Sequence, residues 1–550
     1  MGVLYFFKWI KNKYFQNIIP VKKTENINMS FDNLLIDINA IIHPSCQRIF
    51  KYGNYKENKT FLKKRKEIII NVEEEISKVY EDVCQTVENL LKLVKPKKRL
   101  VLCIDGVAPI SKQMQQRKRR FLSKNNDCPF DSNSITTGTL FMHNFSVYLK
   151  DYFKSKYQNL KIIFSSEKNP GEGEHKIILF LNKYIDIFEN NCIHGMDADL
   201  ILLSLLTNMR SIYILRDENF IRDIDYHLLS ISDMRYNICN DLKFENSNPL
   251  SHISNFTFLS FLLGNDFLPP IPTLEISRNS IDKMIDVYKT NKINLLDDNF
   301  NIILDNFAIF LSDISKDEEN FLKKKIKDKD YIPDIILEKS IENNTFNLEI
   351  YKDLYYFNNI PEIFNDYKID KDEKIFDIEL IRKVGYNENK VRIFIQNYIK
   401  TLQWNILYYS KKQTIWNHKY NYTYSPFLST ILQYLPDIII NQNEQDKPNS
   451  QFLQLLSVLP PSSFNLIPSP ISKLKDESIF QSFSPNNVSV DCSGKKNEWE
   501  GIVKLPNPDM DYIRDFYENN IQNVKKEHLH LNSFHKNLLI YKNKEKIIDF

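Results

Sequence analysis

Through the first 270 residues, short apolar runs alternate with helix-length amphipathic stretches, and acids stand at or just after most of the runs. The runs lie at 34–38 (LLIDI), 99–105 (RLVLCID), 161–166 (KIIFSS), 192–205 (CIHGMDADLILLSL) and 211–215 (SIYIL), with a long helical pattern over 74–94 between the first two. Apolar strands joined by helices cannot pair as hairpins. They close into a parallel sheet that buries both faces, so the expected class is α/β. Helices of charged, less distinctive pattern follow over 277–345, where 316–330 reads as a solvated helix or linker. A Trp- and Tyr-rich block covers 346–510, with a Pro/Ser loop or wrapping segment at 460–473, and a basic, peripheral tail covers 511–550.

In an open parallel sheet, ligands sit outside the carboxyl ends of the strands. The acids gather there. Asp37 ends the first run, Asp105 the second, Glu172 and Glu174 follow the third, Asp197 and Asp199 follow the fourth strand, and Asp266 lies in LLGNDFLPP. Any one Asp after a strand is an ordinary helix N-cap. The paired E-x-E and D-x-D, each beside glycine in a chain with only 11 glycines, point instead to a crowded rim. Crowded carboxylates repel and suit hard cations, Mg²⁺ or Mn²⁺. Two such ions are the arrangement that hydrolyses phosphodiesters in line.

Just after Asp105, Lys112, Gln116, Arg119 and Arg120 fall at i, i+4, i+7 and i+8, on one helix face. Forked and point-charge donors there suit a terminal phosphate. The basic run at 59–67 has no such neighbour and reads as solvated. The formal net charge is only +3, so nucleic-acid binding has to come from a local patch. The cysteines are scattered without a CxxC pair and read as reduced thiols of an intracellular protein. No segment is long and apolar enough for a membrane span. The N-terminus carries no signal-peptide pattern, and Phe6 stands where myristoylation needs Ser or Thr. His528, His530 and His535 read as structural, as do Trp404, Tyr408, Tyr409 and Trp499.

The chain resembles the XRN family of 5′→3′ exoribonucleases. The resemblance rests on MGVLYFFKWI, LLIDINAIIHP, CIDGVAPISKQMQQRKRR, FDSNSITTGT, NPGEGEHKI, HGMDADLILL and FLLGNDFLPPIPTLEI in residues 1–276. A second block carries YIKTLQWNILYY, WNHKYNYTYSPF, QLLSVLPPSS and GKKNEWEGI. It implies a Rossmann-like sheet of the PIN/5′-nuclease kind, flanked by helices. Residues 1–276 would then form a nuclease domain and 346–510 a mainly helical segment packed around the active site. It also implies that the seven acids hold two Mg²⁺ ions and that Lys112, Gln116, Arg119 and Arg120 take a 5′-monophosphate. His43 and Trp416 would stack on terminal bases, and Phe6, Phe7 and Trp9 belong to an element that narrows the channel to single strands. Where the family often has a second tryptophan, this chain has His418. The implied activity is processive degradation of single-stranded 5′-monophosphorylated RNA to mononucleotides, in RNA decay, by a cytoplasmic monomer that is a minimal catalytic core. The alternatives are a structure-specific 5′ DNA nuclease of the flap-endonuclease kind and a non-catalytic RNA-binding scaffold.

Overall fold

The computed structural model describes all residues except 1, 26, 54–70, 124–127, 219, 220, 222, 223, 246, 247, 328, 329, 366–373, 412–414 and 436–445. The basic run at 59–67 and part of 316–330 therefore lie outside the described residues. The chain divides into two compact units. One comprises residues 11–235, 446–486 and 506–550, and the other residues 1–10, 236–445 and 487–505. These units cut the chain differently from the four sequence blocks, because contacts gather segments that the sequence separates.

The first unit holds a nine-stranded sheet. Its strands are β1 (Ile18–Val21), β2 (Asn33–Asp37), β3 (Arg99–Cys103), β4 (Lys161–Ser165), β5 (Asn190–His194), β6 (Ser211–Asp217), β7 (Tyr226–Ser230) and a C-terminal hairpin, Asn537–Tyr541 with Lys544–Ile548. The spatial order is β1-β7-β6-β5-β2-β3-β4, followed by the hairpin. The five central strands, β6 to β4 in that order, are parallel. Leu34, Leu35, Ile36, Leu100, Val101, Leu102, Cys192 and Ile193 have no exposed surface, which is why these strands read as unbroken apolar runs. From β2 the chain moves one way, through β3 to β4, and then crosses back to lay β5 on the other side of β2. That reversal creates a crevice outside the carboxyl ends of β2 and its neighbours.

In the run at 192–205, β5 ends at His194 and residues Ala198–Leu205 form a helix, so Asp197 and Asp199 stand just after the strand. One expectation is corrected. The tail after 511 is not peripheral: its hairpin pairs antiparallel with β4 and buries Ile540 in the main core. An edge that would otherwise be open is thereby covered. Residues 277–345 are mainly helical. Helices Ser280–Asn291, Leu304–Ile314 and Glu318–Ile326 bury Met284, Tyr288, Phe307, Phe310, Leu311 and Leu322, all in the second unit.

A smaller core in the first unit joins Ile110 to segment 446–486 through Phe452, Leu455, Leu456, Phe464, Ile471 and Phe480. Its polar clamp is Arg117. That guanidinium is almost wholly buried and donates to the Ser457 carbonyl at 3.1 Å, the Phe483 carbonyl at 2.5 Å and Ser484 Oγ at 3.0 Å. Burial lowers its pKa to about 9. Gln113 adds bonds from its amide to the Ala108 carbonyl at 2.8 Å and from Ser457 Oγ to its own oxygen at 2.9 Å.

Removing one side of a buried polar clamp leaves the other side unpaired. Arg117→Met is expected to destabilise the first unit by about 3 kcal/mol. The expected readouts are a lower thermal midpoint and new protease cleavage within 446–486.

Candidate active site

Within the sheet-bearing unit, four acid motifs stand at the carboxyl ends of four adjacent parallel strands. Asp37 is the last residue of β2, and its Oδ1 accepts the Asn39 N–H at 3.1 Å. Asp105 follows β3, and its Oδ1 accepts the Gly173 N–H at 2.6 Å. Asn39 Oδ1 accepts the Asp105 N–H at 3.0 Å, so one asparagine joins the ends of β2 and β3. Glu172 and Glu174 open the helix Gly173–Tyr184 after β4, and Asp197 and Asp199 open the helix Ala198–Leu205 after β5. Helix N-termini favour anions, yet here the anions face one another.

Gly173 marks the tightest point. A Cβ there would lie 2.6 Å from Asp37 Oδ1 and 3.3 Å from Asp105 Oδ1, so only glycine lets both carboxylates approach its backbone. Gly106 is as constrained: a Cβ would fall 1.8 Å from the Asn169 carbonyl oxygen.

The electrostatics follow from this crowding. Burial, then the negative charges of Asp105, Asp197 and Glu172, hold the Asp37 carboxyl well above the usual carboxylate range. Burial, then Asp197 and Asp199, do the same to Glu174, and burial with Glu172 raises Asp105. Six of the expected acids thus feel one another's charge. Two lysines offset it. Lys112 Nζ lies 2.6 Å from Glu172 Oε2, both side chains being buried. Lys176 Nζ donates to the carbonyls of Ile104 at 2.7 Å and Ser166 at 2.9 Å, and burial lowers its pKa to about 8. Among the described residues, no group of three or more His, Cys, Asp or Glu side chains is placed to hold a metal ion.

The seventh acid, Asp266, belongs to the other unit, where its Oδ1 accepts the Gly2 N–H at 3.0 Å. Trp416 also lies there, half-buried. At position 418 the histidine turns inward. Its ring stacks on Trp404 at 5.5 Å, and its Nε2 meets Thr401 Oγ1 at 2.9 Å. Phe6 and Trp9 are buried against Phe256 in the same unit, and Phe7 is half-buried.

The basic helix, Ile110–Leu122, presents its predicted face unevenly. Lys112 is buried, Gln116 and Arg120 are half-buried and Arg119 is exposed. Gln116 Oε1 accepts from Arg120 Nη1 at 3.0 Å, and Arg120 Nη2 donates to Thr136 Oγ1 at 2.8 Å. His43, on the helix Asn39–Phe50, is held neutral with a pKa of about 4 by burial and then by Arg119 and Arg120, against the pull of Asp197. It therefore lies within electrostatic reach of both the basic face and the acid rim.

Sequence reasoning missed Arg117, Lys176 and Arg216, whose Nη1 donates to the Asp197 carbonyl at 3.1 Å. For Lys176 a signal existed. A lysine in the first turn of a helix opposes the macrodipole and calls for a local reason. Of the C-terminal histidines, His530 packs edge-on against His143 at 4.7 Å, and the His535 carbonyl accepts from Asn169 Nδ2 at 2.6 Å.

A carboxyl whose folded pKa exceeds its unfolded value of about 4.3 holds its proton more tightly in the folded chain. Its stabilising contribution is full at acid pH and is lost as pH rises through the folded value. Glu174→Gln is therefore expected to raise the thermal midpoint by about 2 °C at pH 7.5 in metal-free buffer. The advantage should vanish near pH 4, as read by differential scanning fluorimetry across pH.

With this geometry established, comparison with known proteins is informative. The family model for the XRN 5′-3′ exonuclease N-terminus matches residues 1–128 and 123–218, and the model for the Xrn1 helical domain matches 250–361 and 373–549. Human 5′-3′ exoribonuclease 1 is 27% identical over 96% of this chain and 34% of its own. The Saccharomyces cerevisiae 5′-3′ exoribonuclease 1 is 26% identical over 98% and 44%, respectively. The Drosophila melanogaster 5′-3′ exoribonuclease 2 homolog is 25% identical over 92% and 69%. The chain spans less than half the length of the human and yeast relatives. With both family models together matching most of its length, the chain belongs to the XRN family of 5′-3′ exonucleases.

Proposed function

We propose that this chain is a processive 5′→3′ exoribonuclease that hydrolyses single-stranded RNA with a 5′-monophosphate, releases nucleoside 5′-monophosphates, and acts as a monomer in RNA decay. The observation that carries this reading is the ion pair of Lys112 with Glu172, which links the basic helix directly to the rim of six mutually repelling carboxylates.

By its chemistry alone the donor set, six carboxylates, suits hard divalent cations, although among the described residues no three of them converge to hold an ion. Burial first, and then the neighbouring negative charges, hold Asp37 and Glu174 above their usual range, a penalty that positive charge would relieve. Asp37, Asp105, Glu172, Glu174, Asp197 and Asp199 would hold Mg²⁺ or Mn²⁺. Two such ions would supply Lewis acidity toward the scissile phosphate and lower the pKa of an attacking water.

This chain's own residues do the binding and aiming. Arg119 offers an exposed guanidinium to the terminal phosphate. Arg120 is held in a fixed direction by Gln116 and Thr136. Lys112 adds a buried charge that is shared with Glu172. Neutral His43 gives a flat ring for the terminal base, with little preference among bases. Phosphate contacts of this kind weaken with salt.

On 5′-monophosphorylated RNA with Mg²⁺, Asp199→Ala is expected to abolish mononucleotide release while leaving RNA binding within about threefold. Unchanged release would sink the site. Lys112→Ala combined with Arg119→Ala is expected to erase the preference for 5′-monophosphate over 5′-hydroxyl ends. Equal loss on both ends would reduce the helix to general electrostatics. Faster cleavage of flap DNA than of RNA by the unaltered protein would overturn the substrate class.

A further inference from the structure

The run QLLSVLPPSS (454–463) begins inside the helix Gln451–Val458. Phe452, Leu455 and Leu456 of that helix share a core with Ile110, the first residue of the basic helix. This packing brings Gln454, almost wholly buried, within reach of both Ala108 and Gln116. A buried amide is costly unless its oxygen and its NH₂ group each meet a partner.

The direction of each amide here is fixed by groups that can act in one sense only. The Ala108 N–H can only donate, and it does so to Gln454 Oε1 at 2.9 Å. Gln454 Nε2 is thereby turned to Gln116, whose Oε1 stands at 3.5 Å. A guanidinium likewise only donates, and Arg120 Nη1 lies 3.0 Å from that same oxygen. Arg120 is steadied in turn by Thr136 Oγ1, which gives its own proton to the Asn133 carbonyl at 2.7 Å and so faces Arg120 as an acceptor at 2.8 Å.

Two donors therefore converge on the Gln116 oxygen. The contact from Gln454 is long, and its weight lies in the sense it imposes: a reversed Gln116 amide would set its NH₂ group against two further donors. Gln116 is half-buried, and its Nε2 makes no hydrogen bond among the described residues. Both hydrogens of that NH₂ group are left over on the predicted phosphate face of the helix.

We propose that Gln454 is a positioning residue for the 5′-phosphate. With Arg120 it holds the Gln116 oxygen inward, so that Gln116 offers the phosphate two N–H donors and not an oxygen lone pair. A phosphate oxygen accepts, so a Gln116 turned the other way would repel it. The acceptor of Gln454 is taken by Ala108, three residues after Asp105, and the same amide thus ties the phosphate donors to the loop that carries a rim acid. This inference rests on the reading of Lys112, Gln116, Arg119 and Arg120 as the 5′-phosphate pocket.

The test is steady-state degradation, with Mg²⁺, of one RNA sequence that carries either a 5′-monophosphate or a 5′-hydroxyl. Gln454→Met is expected to raise KM for the 5′-monophosphate RNA about tenfold, with kcat within about twofold and the 5′-hydroxyl RNA unaffected. Gln116→Leu should raise the same KM. Gln454→Met added to Gln116→Leu should change it by less than about twofold, since a residue that acts through another is not additive with it. Gln454→Glu keeps the acceptor for Ala108 and removes only the donor. It should also raise that KM, and by a smaller factor in the Gln116→Leu background, so it decides the matter should Gln454→Met fail to fold. A Gln454 that only supports packing would lower kcat on both RNAs alike, leave KM unchanged, or add in full to Gln116→Leu. Each of these results overturns the proposal and leaves the pocket standing. Should Gln116→Leu itself leave the preference for 5′-monophosphate intact, the pocket and the proposal fall together.

Discussion

Mutual repulsion among carboxylates is the constraint around which the sheet-bearing unit is organised. Asp37, Asp105, Glu172, Glu174, Asp197 and Asp199 are buried or half-buried at the ends of β2 to β5, where water cannot screen them well. A fold that merely needed stability would not gather them. The surrounding structure meets the cost with specific devices. Lys112 pairs with Glu172, Lys176 is pinned beneath the rim by two carbonyls, and the backbone N–H of Gly173 is given to Asp105. Positive charge brought to such a rim would relieve that repulsion.

The basic helix needs its own anchor, because its charged face cannot bury itself. Arg117 supplies this on the opposite side, clamping the helix to segment 446–486 through main-chain carbonyls, while Gln113 and Ser457 add a neutral bond. Neighbouring arginines thus divide the labour. Arg117 is spent on structure, Arg120 is aimed by Gln116 and Thr136, and Arg119 stays open to solvent. His43 is kept uncharged between the two fields. A neutral ring adds no further charge to a region that already balances many.

Much of the sheet could be read directly from the chain. The runs at 34–38, 99–105, 161–166 and 211–215 are β2, β3, β4 and β6, because strands buried on both faces leave a continuous apolar signature. The acid motifs could be read for the same reason, since each follows such a run. The exact ends of the strand and helix within 192–205 were not legible, as both apolar halves are buried. Nor was the role of Arg117, one of several basic residues in ISKQMQQRKRR. Spacing gives the face of a helix on which a side chain lies but not which partner that face meets.

The sequence by itself determined residue chemistry and local period: which runs are strands, that acids follow them, and that Lys112, Gln116, Arg119 and Arg120 share a helix face. Those are properties of neighbours along the chain. Only the tertiary structure decided strand order, which sets β5 beside β2 and so brings Asp197 and Asp199 to Asp37. It also decided that the last strands of the chain cover β4, and that Lys112 reaches Glu172. These depend on contacts between residues far apart in sequence, whose energies come from burying shared surface and sharing charge, and no local pattern encodes which distant segment will provide the partner.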